Sequence, residues 1–299
     1  MKFCKLAVIE PINVTEEAKQ ELYQYAQEVI FYPDLPQDDQ EKIKRIGDAD
    51  GVLVSFTTTI PKNVLEACPH VKYVGMCCSL YSPESANVDI RAAEALGITV
   101  TGVRDYGDDG VAEYAVSELA RLLHGFGEHQ WRPEQMEFHN LDIGFVGMGA
   151  SGKLVSAALQ YFGANIFYYS RTEKIPLREK GYTYLPLDEL LQKVPVLITC
   201  LNKNVVLLGE REFQLFGNGK ILMNTSISPS FDLKAVETWV QNKDNYLMCD
   251  SEFALGSGSL LHYPNVFCAH KTSGSTIQSK VRLGKKVIDN IEVFLNSQK

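Results

Sequence analysis

The chain has 299 residues, enough for one large or two medium-sized domains, which excludes a peptide-sized fold held together by disulfides. Hydrophobic residues make up 45% and charged residues 22%, a composition that supplies a full core and excludes general disorder. The 29 Lys and Arg residues against 37 Asp and Glu residues give a formal net charge of −8, and no basic cluster interrupts this balance. Because nucleic-acid binding needs a basic face, we expect no nucleic-acid partner.

The seven cysteines lack the spacing of a metal site or a disulfide framework. They stand at positions 4, 68, 77, 78, 200, 249 and 268, without C-x-x-C and without paired Cys/His spacing. Most lie in apolar runs, which is typical of small buried side chains in a reducing compartment. The N-terminal apolar run is too short for a signal peptide, and no stretch reaches the roughly 18 apolar residues of a membrane span. We expect a cytoplasmic protein with no metal and no membrane partner.

The first third of the sequence alternates short apolar runs with segments of helical periodicity. The predicted strands are KLAVIE, EVIFYP, GVLVS, VKYVGMC and ITVTGV, and the predicted helices are TEEAKQELYQYAQEV, DDQEKIKRI, PKNVLEAC, NVDIRAAEAL and DGVAEYAVSELARLLHGF. Thr15 is the expected N-cap of the first helix, Pro61 is expected to open the third, and Gly97 follows the fourth. Strands joined by crossover helices predict a parallel, doubly wound sheet with five βα units complete by about residue 103.

A second alternation begins after the polar stretch GEHQWRPEQMEFHN. Its predicted strands are DIGFV, NIFYYSR, VLITCL, KILMNTS, YLMCDS and NVFCAH, and its predicted helices are KLVSAALQYF, DELLQKV, EREFQLF and DLKAVETWV. A last helix is predicted over STIQSKVRLGKKVIDNIEVFL, with its apolar positions at Val281, Val287, Ile288, Ile291, Phe294 and Leu295. The whole pattern predicts an α/β protein with two Rossmann-like lobes, each a doubly wound parallel sheet.

A glycine-rich motif joins the first strand of the second series to its helix. The chain reads Gly147-Met148-Gly149-Ala150-Ser151-Gly152, which is G-x-G-x-x-G between a strand and a helix. The first glycine permits the turn, the second lets the backbone approach a pyrophosphate, and the third lets the helix pack on the strand. The helix N-terminus offers N–H groups to the anion. We therefore expect Gly147, Gly149, Ala150, Ser151 and Gly152 to bind a dinucleotide; the alternative is a glycine-rich turn of structural use only.

The end of the next strand indicates which dinucleotide is bound. An NAD site normally places Asp or Glu there for the ribose 2′-hydroxyl, whereas this chain has Ser170-Arg171-Thr172, with Lys174 close by. A guanidinium and two hydroxyls suit a 2′-phosphate, which a carboxylate would repel. NADP(H) is favoured and NAD(H) remains possible. The alternative is that Arg171 is only a solvated residue at a strand end.

The order of motifs resembles the D-isomer-specific 2-hydroxyacid dehydrogenase family over essentially the whole chain. The matching stretches are ANVDIRAAEALGITVTGV, VAEYAVSEL, GFVGMGASG, GNGKILMNTS and PNVFCAHKTSGST. The resemblance implies that residues 1–103 plus 276–299 form a substrate lobe and residues 104–275 a dinucleotide-binding lobe. It also implies an active site in a cleft between the lobes, with hinges near 104–110 and 271–275.

The same resemblance assigns ligand contacts to further residues. For the dinucleotide they are Cys200, Leu201, Thr225, Ser226, Ile227, Asp250 and Gly274. For the substrate they are Cys78, Ser79, Leu80 and Tyr81, in a loop about four residues longer than the family's, together with Arg104. Arg104 stands where a proline is usual, and the alternative is a surface arginine at the hinge.

The family's catalytic residues do not carry over directly. An ungapped match places Ile227 where the family has the arginine that holds the substrate carboxylate, which favours a less charged carbonyl compound. It aligns Phe253 with the family's supporting glutamate, so that Glu252 lies one residue before that position. It aligns His270 with a proline of the family and Lys271 with the catalytic histidine. We expect Lys271, Glu252 and His270 to form the catalytic group. Because a lysine carries its proton in neutral water, Lys271 as proton donor favours carbonyl reduction.

Two functions remain open from the sequence. The first is an NAD(P)-dependent reductase of a carbonyl or hydroxy-acid substrate, such as a 2-oxo acid. The second is an NADP-binding sensor without turnover, in which Lys271 is structural. The resemblance also implies a homodimer through the dinucleotide lobe. We expect a long helix over 109–126 and the Trp131 segment to contribute to the interface; the alternative is that the apolar stripe of this helix packs in the core of its own chain. The apolar stripe of that helix consists of Val111, Ala115, Leu119, Leu122 and Leu123.

Overall fold

The computed structural model describes residues 1–298 and separates into two compact units. The first unit comprises Met1–Tyr106 and the segment that begins at Ser275, and the second comprises Gly107–Gly274. The chain therefore leaves the first unit after residue 106, where residue 103 was expected. It re-enters the first unit at residue 275, where residue 276 was expected. Tyr106 belongs to the first unit because its carbonyl oxygen accepts a hydrogen bond of 2.8 Å from Arg282 Nε.

The first unit is a five-stranded parallel sheet with the strand order β2-β1-β3-β4-β5. Its strands are β1 (Phe3–Val8), β2 (Ala26–Phe31), β3 (Gly51–Val54), β4 (Tyr73–Ser79) and β5 (Thr99–Val103). Its helices are α1 (Glu16–Glu21), α2 (Asp39–Ile46), α3 (Lys62–Ala67), α4 (Ile90–Ala95) and the C-terminal α12 (Ile277–Ser297). The order reverses beside β1, as in a doubly wound sheet.

Local sequence signals fix several helix ends in this unit. The Thr15 hydroxyl accepts from the Ala18 N–H, which caps α1 as expected. Pro61 is the N-cap of α3, and Gly97 takes the left-handed φ of +73° after α4. The apolar face of α12 differs from the expected one at one position, because Val281 is exposed while Leu283 packs into the core.

The second unit is a seven-stranded parallel sheet with the strand order β12-β11-β10-β9-β6-β7-β8. Its strands are β6 (Asp142–Val146), β7 (Asn165–Tyr169), β8 (Thr183–Tyr184), β9 (Val196–Thr199), β10 (Ile221–Asn224), β11 (Tyr246–Cys249) and β12 (Val266–Cys268). Its helices are α5 (Asp108–His124), α6 (Ala150–Tyr161), α7 (Ile175–Arg178), α8 (Leu187–Lys193), α9 (Glu210–Phe216), α10 (Leu233–Val240) and α11 (Glu252–Leu255). The predicted α/β class with two doubly wound parallel sheets is confirmed. Strand β8 and helices α7 and α11, each very short, were not predicted.

Helix α5 packs against its own unit. All five residues of its apolar stripe are buried in one core cluster together with Trp131. The Trp131 Nε1 donates to the Gly219 carbonyl oxygen at 3.2 Å, which ties this segment to the same unit. The expectation that this stripe and Trp131 favour partner contact is therefore wrong, because the sheet of the same chain buries them. The homodimer and the cytoplasmic location stay predictions.

Three further features concern the membrane span, the disulfides and the metal site that the sequence analysis did not expect. No helix within residues 1–298 has the length and apolarity to cross a membrane. The cysteines are free thiols, of which Cys4 is exposed, Cys200 and Cys268 are half-buried, and the other four are buried. No group of three or more metal-ligating side chains occurs in the described part of the chain.

Candidate active site

The glycine motif lies where the strand order of the second unit reverses. Strand β6 has β7 on one side and β9 on the other, and ligands of doubly wound sheets bind outside the carboxyl ends of such strands. Gly147 has φ +97°, and a Cβ there would lie 3.0 Å from the carbonyl carbon of Cys200. A Cβ at Gly152 would collide with the Gly147 carbonyl oxygen, so the third glycine allows α6 to pack on the loop.

Gly149 provides the open position that a bound pyrophosphate needs. A Cβ at Gly149 would meet nothing within 4 Å, and the residue is the N-cap of the twelve-residue helix α6. The first N–H groups of a helix have no partner within the helix and favour an anion. Ser151, in this first turn, donates its hydroxyl hydrogen to the Asp108 carboxylate, so its backbone N–H is the group left for a ligand. The residues present therefore fit a dinucleotide.

Three cations lie beside this loop. The Lys174 ammonium donates to the Met148 carbonyl oxygen at 2.8 Å, and the Lys174 backbone N–H donates to the buried Tyr168 hydroxyl at 2.9 Å. Partial burial lowers the pKa of Lys174, and the nearby positive charges of Lys153 and Arg171 lower it further. None of these three cations forms an ion pair within residues 1–298.

The other residues expected to contact the 2′ position of the ribose differ in whether their side chains are free to bind a ligand. The Ser170 hydroxyl donates to the Thr172 carbonyl oxygen at 2.7 Å, so it stabilises the turn. Arg171 and Thr172 are exposed. The positive charge thus comes from Arg171 and Lys174, which the sequence indicated, and from Lys153, which the sequence reasoning missed. Its position directly after the third glycine was the available signal.

The residues expected at the ends of β9 and β10 come together. Cys200 Sγ and Thr225 Oγ1 are 3.1 Å apart, and the Leu201 N–H donates to Ser226 Oγ at 2.8 Å. Burial raises the pKa of the Cys200 thiol to about 12, against the opposing effect of its hydrogen bond with Thr225. A protonated thiol at this position is a packing and hydrogen-bonding group and not a nucleophile.

Asn224 connects these strand ends to α11, and the sequence analysis did not single it out. Its Oδ1 accepts from Thr199 Oγ1 at 2.8 Å and from the Ser226 N–H at 3.2 Å. Its Nδ2 donates to the carbonyl oxygens of Ser228 at 3.1 Å and Ala254 at 2.8 Å. Because a buried amide has four hydrogen-bonding positions and all are used, the loop after β10 and helix α11 are held in one arrangement.

Glu252 and His270 form the pair that the ungapped match did not predict. Glu252 opens α11, whose N-cap Ser251 accepts from the Ala254 N–H, and His270 follows β12 with a left-handed φ of +54°. His270 Nδ1 lies 2.9 Å from Glu252 Oε1. The side chains are 55% and 68% exposed, so the imidazole remains accessible. Since Nδ1 faces the carboxylate, Nε2 is the ring nitrogen available to a substrate.

Lys271 is placed differently from His270. Its backbone N–H donates to the Asp250 carbonyl oxygen at 2.9 Å, and its side chain is exposed with no ion pair in the described part of the chain. One oxygen of the buried Asp250 carboxylate accepts from both the N–H and the hydroxyl of Ser273, at 2.8 and 2.7 Å. Asp250 therefore fixes the segment 271–273. Gly274 lies against Gly107, where a Cβ would be 2.7 Å from the Gly274 oxygen.

The residues expected to bind substrate in the first unit surround the end of β4. Arg104 Nε donates to the Leu80 carbonyl oxygen at 2.8 Å and Nη2 donates to the Tyr81 carbonyl oxygen at 3.1 Å. The guanidinium carbon lies 5.5 Å from the centroid of the Tyr81 ring. Arg104 is exposed, and its two hydrogen bonds hold this loop.

The other two substrate positions lie deeper. The Cys78 side chain is buried and directed to Asn87 Oδ1, so only its backbone is available to a ligand. Ser79 ends β4 and is hydrogen-bonded to Tyr106, a residue that the sequence reasoning missed although it lies two positions after Arg104. Burial raises the pKa of Tyr106 to about 12, so its hydroxyl keeps its proton at neutral pH.

Comparison with known proteins gives the same assignment over the whole chain. The family description "D-isomer specific 2-hydroxyacid dehydrogenase, catalytic domain" matches residues 6–299. A hydroxypyruvate reductase of Blautia hydrogenotrophica is 25% identical, with 86% of each chain covered. An acyclic imino acid reductase in complex with NADPH and D-Arg has a TM-score of 0.82 at 19% identity, covering 98% of this chain and 97% of that one. An NAD+-bound 3-phosphoglycerate dehydrogenase of Entamoeba histolytica has a TM-score of 0.80 at 21% identity, covering 100% and 97%.

The structural relatives show the fold, since their sequence identity is low, and the family match spans nearly every residue. That match agrees with the glycine motif and the two parallel sheets. The chain therefore belongs to the D-isomer specific 2-hydroxyacid dehydrogenase family and is an oxidoreductase.

Proposed function

We propose that the protein reduces the carbonyl group of a 2-oxo acid or a related compound with NADPH, and that His270 supplies the proton. The observation that carries this proposal is the distance of 2.9 Å between His270 Nδ1 and Glu252 Oε1. Both residues follow strands whose carboxyl ends lie at the edge of the sheet that carries the glycine motif. The proposed proton donor is therefore His270, one residue before Lys271.

The reaction needs a proton at one defined atom. When bound, the reduced nicotinamide supplies a hydride to the carbonyl carbon, which leaves negative charge on the carbonyl oxygen. His270 in its protonated form donates from Nε2 to that oxygen, and its Nδ1–H donates to Glu252. The Glu252 carboxylate keeps the ring oriented and stabilises the positive charge of the imidazolium, as an acidic partner does for a catalytic histidine elsewhere.

The preference for NADPH rests on the charges beside the glycine motif. Lys153 and Arg171 lie close enough to Lys174 to lower its pKa, and residues 170–172, directly after β7, include no carboxylate. Positive charge without an acid suits a 2′-phosphate better than a 2′-hydroxyl. NAD(H) is the alternative, since structural relatives are recorded with both NADPH and NAD+.

A second candidate is an NADP-binding sensor without turnover. It is favoured by Ile227, an apolar residue at the position where the resemblance expects the carboxylate-binding arginine. A panel of 2-oxo acids, aldehydes and ketones, followed by the absorbance of NADPH, distinguishes the two. We expect oxidation of NADPH with at least one 2-oxo acid. Tight NADPH binding with no turnover of any carbonyl compound would assign the sensor function instead.

A further inference from the structure

We propose that the carboxylate of Asp108, which is bonded to Ser151 of the glycine motif, opposes the negative charge of a dinucleotide bound at that motif. Asp108 then weakens the binding of the cofactor and speeds its release, and it is not one of the cofactor's ligands. This inference rests on the dinucleotide part of the proposed function. It requires neither turnover nor a preference between NADPH and NADH.

Asp108 is the first residue of α5, and its side chain reaches the glycine motif. The Ser151 hydroxyl donates its hydrogen to Asp108 Oδ1, although 43 positions of sequence separate the two residues. Ser151 lies in the first turn of α6, whose N-cap is Gly149. The contact therefore brings a carboxylate of α5 to the end of α6 that offers its N–H groups to an anion.

Covalent geometry limits how far this carboxylate lies from the anion site. The hydroxyl oxygen of a serine is at most about 4 Å from the nitrogen of the same residue, and a hydrogen bond adds about 3 Å. Asp108 Oδ1 is therefore within about 7 Å of the Ser151 nitrogen. Charges interact over about 10 Å at 0.1 M salt, so a phosphate that accepts from the Ser151 N–H lies within the influence of Asp108.

The charge of Asp108 is not neutralised by a neighbouring cation. Asp108 forms no ion pair within residues 1–298. It is also half-buried, and salt screens such a charge less than an exposed one. The repulsion between this carboxylate and a bound pyrophosphate is therefore not cancelled by an ion pair.

The effect of Asp108 on Cys200 is a second sign that its charge acts at the glycine motif. Burial is the main cause of the raised pKa of the Cys200 thiol, and the negative charge of Asp108 raises this pKa further. Cys200 packs on the motif, since a Cβ at Gly152 would lie 3.5 Å from Cys200 Cβ and a Cβ at Gly147 would lie 3.0 Å from its carbonyl carbon. The charge thus acts both on the first turn of α6 and on the strand end beneath the loop.

The position of Asp108 also has a structural benefit that does not involve the cofactor. Helix α5 begins after Gly107, which provides no side-chain cap, and acids in the first turn of a helix stabilise it. Asp108 therefore stabilises α5 and fixes Ser151, while the same charge raises the free energy of the bound dinucleotide. The expected consequence is faster release of the oxidised cofactor, and product release limits turnover in many enzymes.

The test is calorimetric titration of NADPH and NADP+ into the wild type, Asp108→Asn and Asp109→Asn. Asparagine keeps an acceptor for the Ser151 hydroxyl and removes the charge. We therefore expect Asp108→Asn to bind both cofactors about fivefold more tightly than the wild type. Asp109→Asn is the matched control, because Asp109 is the other acid in the first turn of α5. Asp109 is exposed and more strongly screened, so its replacement should change either affinity less than about twofold.

Repeating the titrations in 0.5 M NaCl separates an effect of charge from an effect of structure. The Debye length is then about 4 Å, so the advantage of Asp108→Asn should fall below about twofold. A structural cause, such as a rearranged glycine loop, would give an advantage that salt does not remove. Stopped-flow displacement of NADP+ should show a dissociation rate about fivefold lower in Asp108→Asn than in the wild type at low salt.

Four results overturn the inference. They are unchanged or weaker binding by Asp108→Asn, tighter binding that persists in 0.5 M NaCl, an equal gain in Asp109→Asn, and no dinucleotide binding by the wild type and Asp108→Asn. The last result also removes the cofactor assignment. The proposed reductase function fails separately, if the wild type binds NADPH and reduces no carbonyl compound; the same titrations then still decide the role of Asp108.

Discussion

His270 Nδ1 lies 2.9 Å from Glu252 Oε1, although 18 positions of sequence separate the two residues. Glu252 opens the helix after β11, and His270 follows β12 with a left-handed backbone. Since β11 and β12 are neighbouring parallel strands, their carboxyl ends bring the two side chains together at one edge of the sheet.

The first prediction separates His270 from its neighbour Lys271. His270→Ala should lower kcat with NADPH and the best carbonyl substrate by about 10²- to 10⁴-fold, the usual range for a positioned acid. Lys271→Ala should reduce kcat less than about threefold, because the Lys271 contact with Asp250 is made by its backbone. Stopped-flow or steady-state measurement of NADPH oxidation checks both. The reverse order of effects would restore Lys271 as the donor.

The second prediction concerns the cofactor. Arg171→Ala should weaken NADPH binding at least about tenfold and leave NADH binding nearly unchanged, because it removes a charge that only the 2′-phosphate meets. Lys174→Met should weaken both cofactors, since the Lys174 ammonium also supports the glycine loop through the Met148 carbonyl oxygen. Lys234→Ala removes a comparable exposed charge from α10 and serves as the control. Isothermal titration that gave NADH the higher affinity in the wild type would contradict the NADPH preference.

The sequence predicted those parts of the site whose residues are consecutive in the chain, and it predicted less well those parts that the fold brings together. The glycine motif was readable because its turn, its open position and its helix contact all lie within residues 147–152. Glu252 and His270 were expected in the catalytic group, but the ungapped match aligned neither with the family's glutamate and histidine, because such a match cannot register a loop in which His270 adopts φ +54°. Periodicity showed which face of α5 is apolar, but only the fold showed that the same chain buries it.

The third prediction concerns thiol reactivity and pH. Cys4 is the exposed thiol of the chain, whereas burial raises the pKa of Cys200 to about 12. At pH 8 a disulfide reagent such as dithionitrobenzoate should therefore label one thiol quickly and Cys200 slowly. Cys4→Ser should abolish the fast phase. A fast phase that survives in Cys4→Ser would mean that a second thiol is reactive in the folded protein.

The raised pKa of Cys200 also predicts how the free energy of unfolding changes with pH. The folded state keeps the Cys200 proton above the pH of about 8.5 at which an unfolded cysteine loses it. Unfolding therefore releases a proton between that pH and about 12, so the free energy of unfolding falls as pH rises through this window. Cys200→Ala should make this fall shallower than in the wild type, which denaturant unfolding at a series of pH values measures. An identical pH slope in both proteins would show that the thiol does not contribute.

The last prediction tests Asn224 as the residue that holds the site together. Asn224→Ala leaves the Ser226 N–H, the Thr199 hydroxyl and the carbonyl oxygens of Ser228 and Ala254 without this partner. A buried polar group left unsatisfied costs about 1–3 kcal/mol, so we expect a loss of roughly 3 kcal/mol or more in the free energy of unfolding. Asn224→Asp keeps the acceptor but loses the donor, and should uncouple the loop of Ile227 from α11. Urea denaturation gives the stability, and Asn296→Ala, at an exposed asparagine of α12, should remain within about 0.5 kcal/mol of the wild type.

The activity of Asn224→Asp separates its positioning effect from its effect on stability. Under conditions where the variant stays folded, we expect kcat/KM for the best carbonyl substrate to fall about tenfold, because the loop after β10 and helix α11, which carries Glu252, lose their common support. NADPH affinity should change less, since the glycine motif after β6 does not depend on Asn224 Nδ2. If kcat/KM and the affinity for NADPH fall by the same factor, Asn224 supports the fold of the sheet edge in general and does not position the catalytic residues.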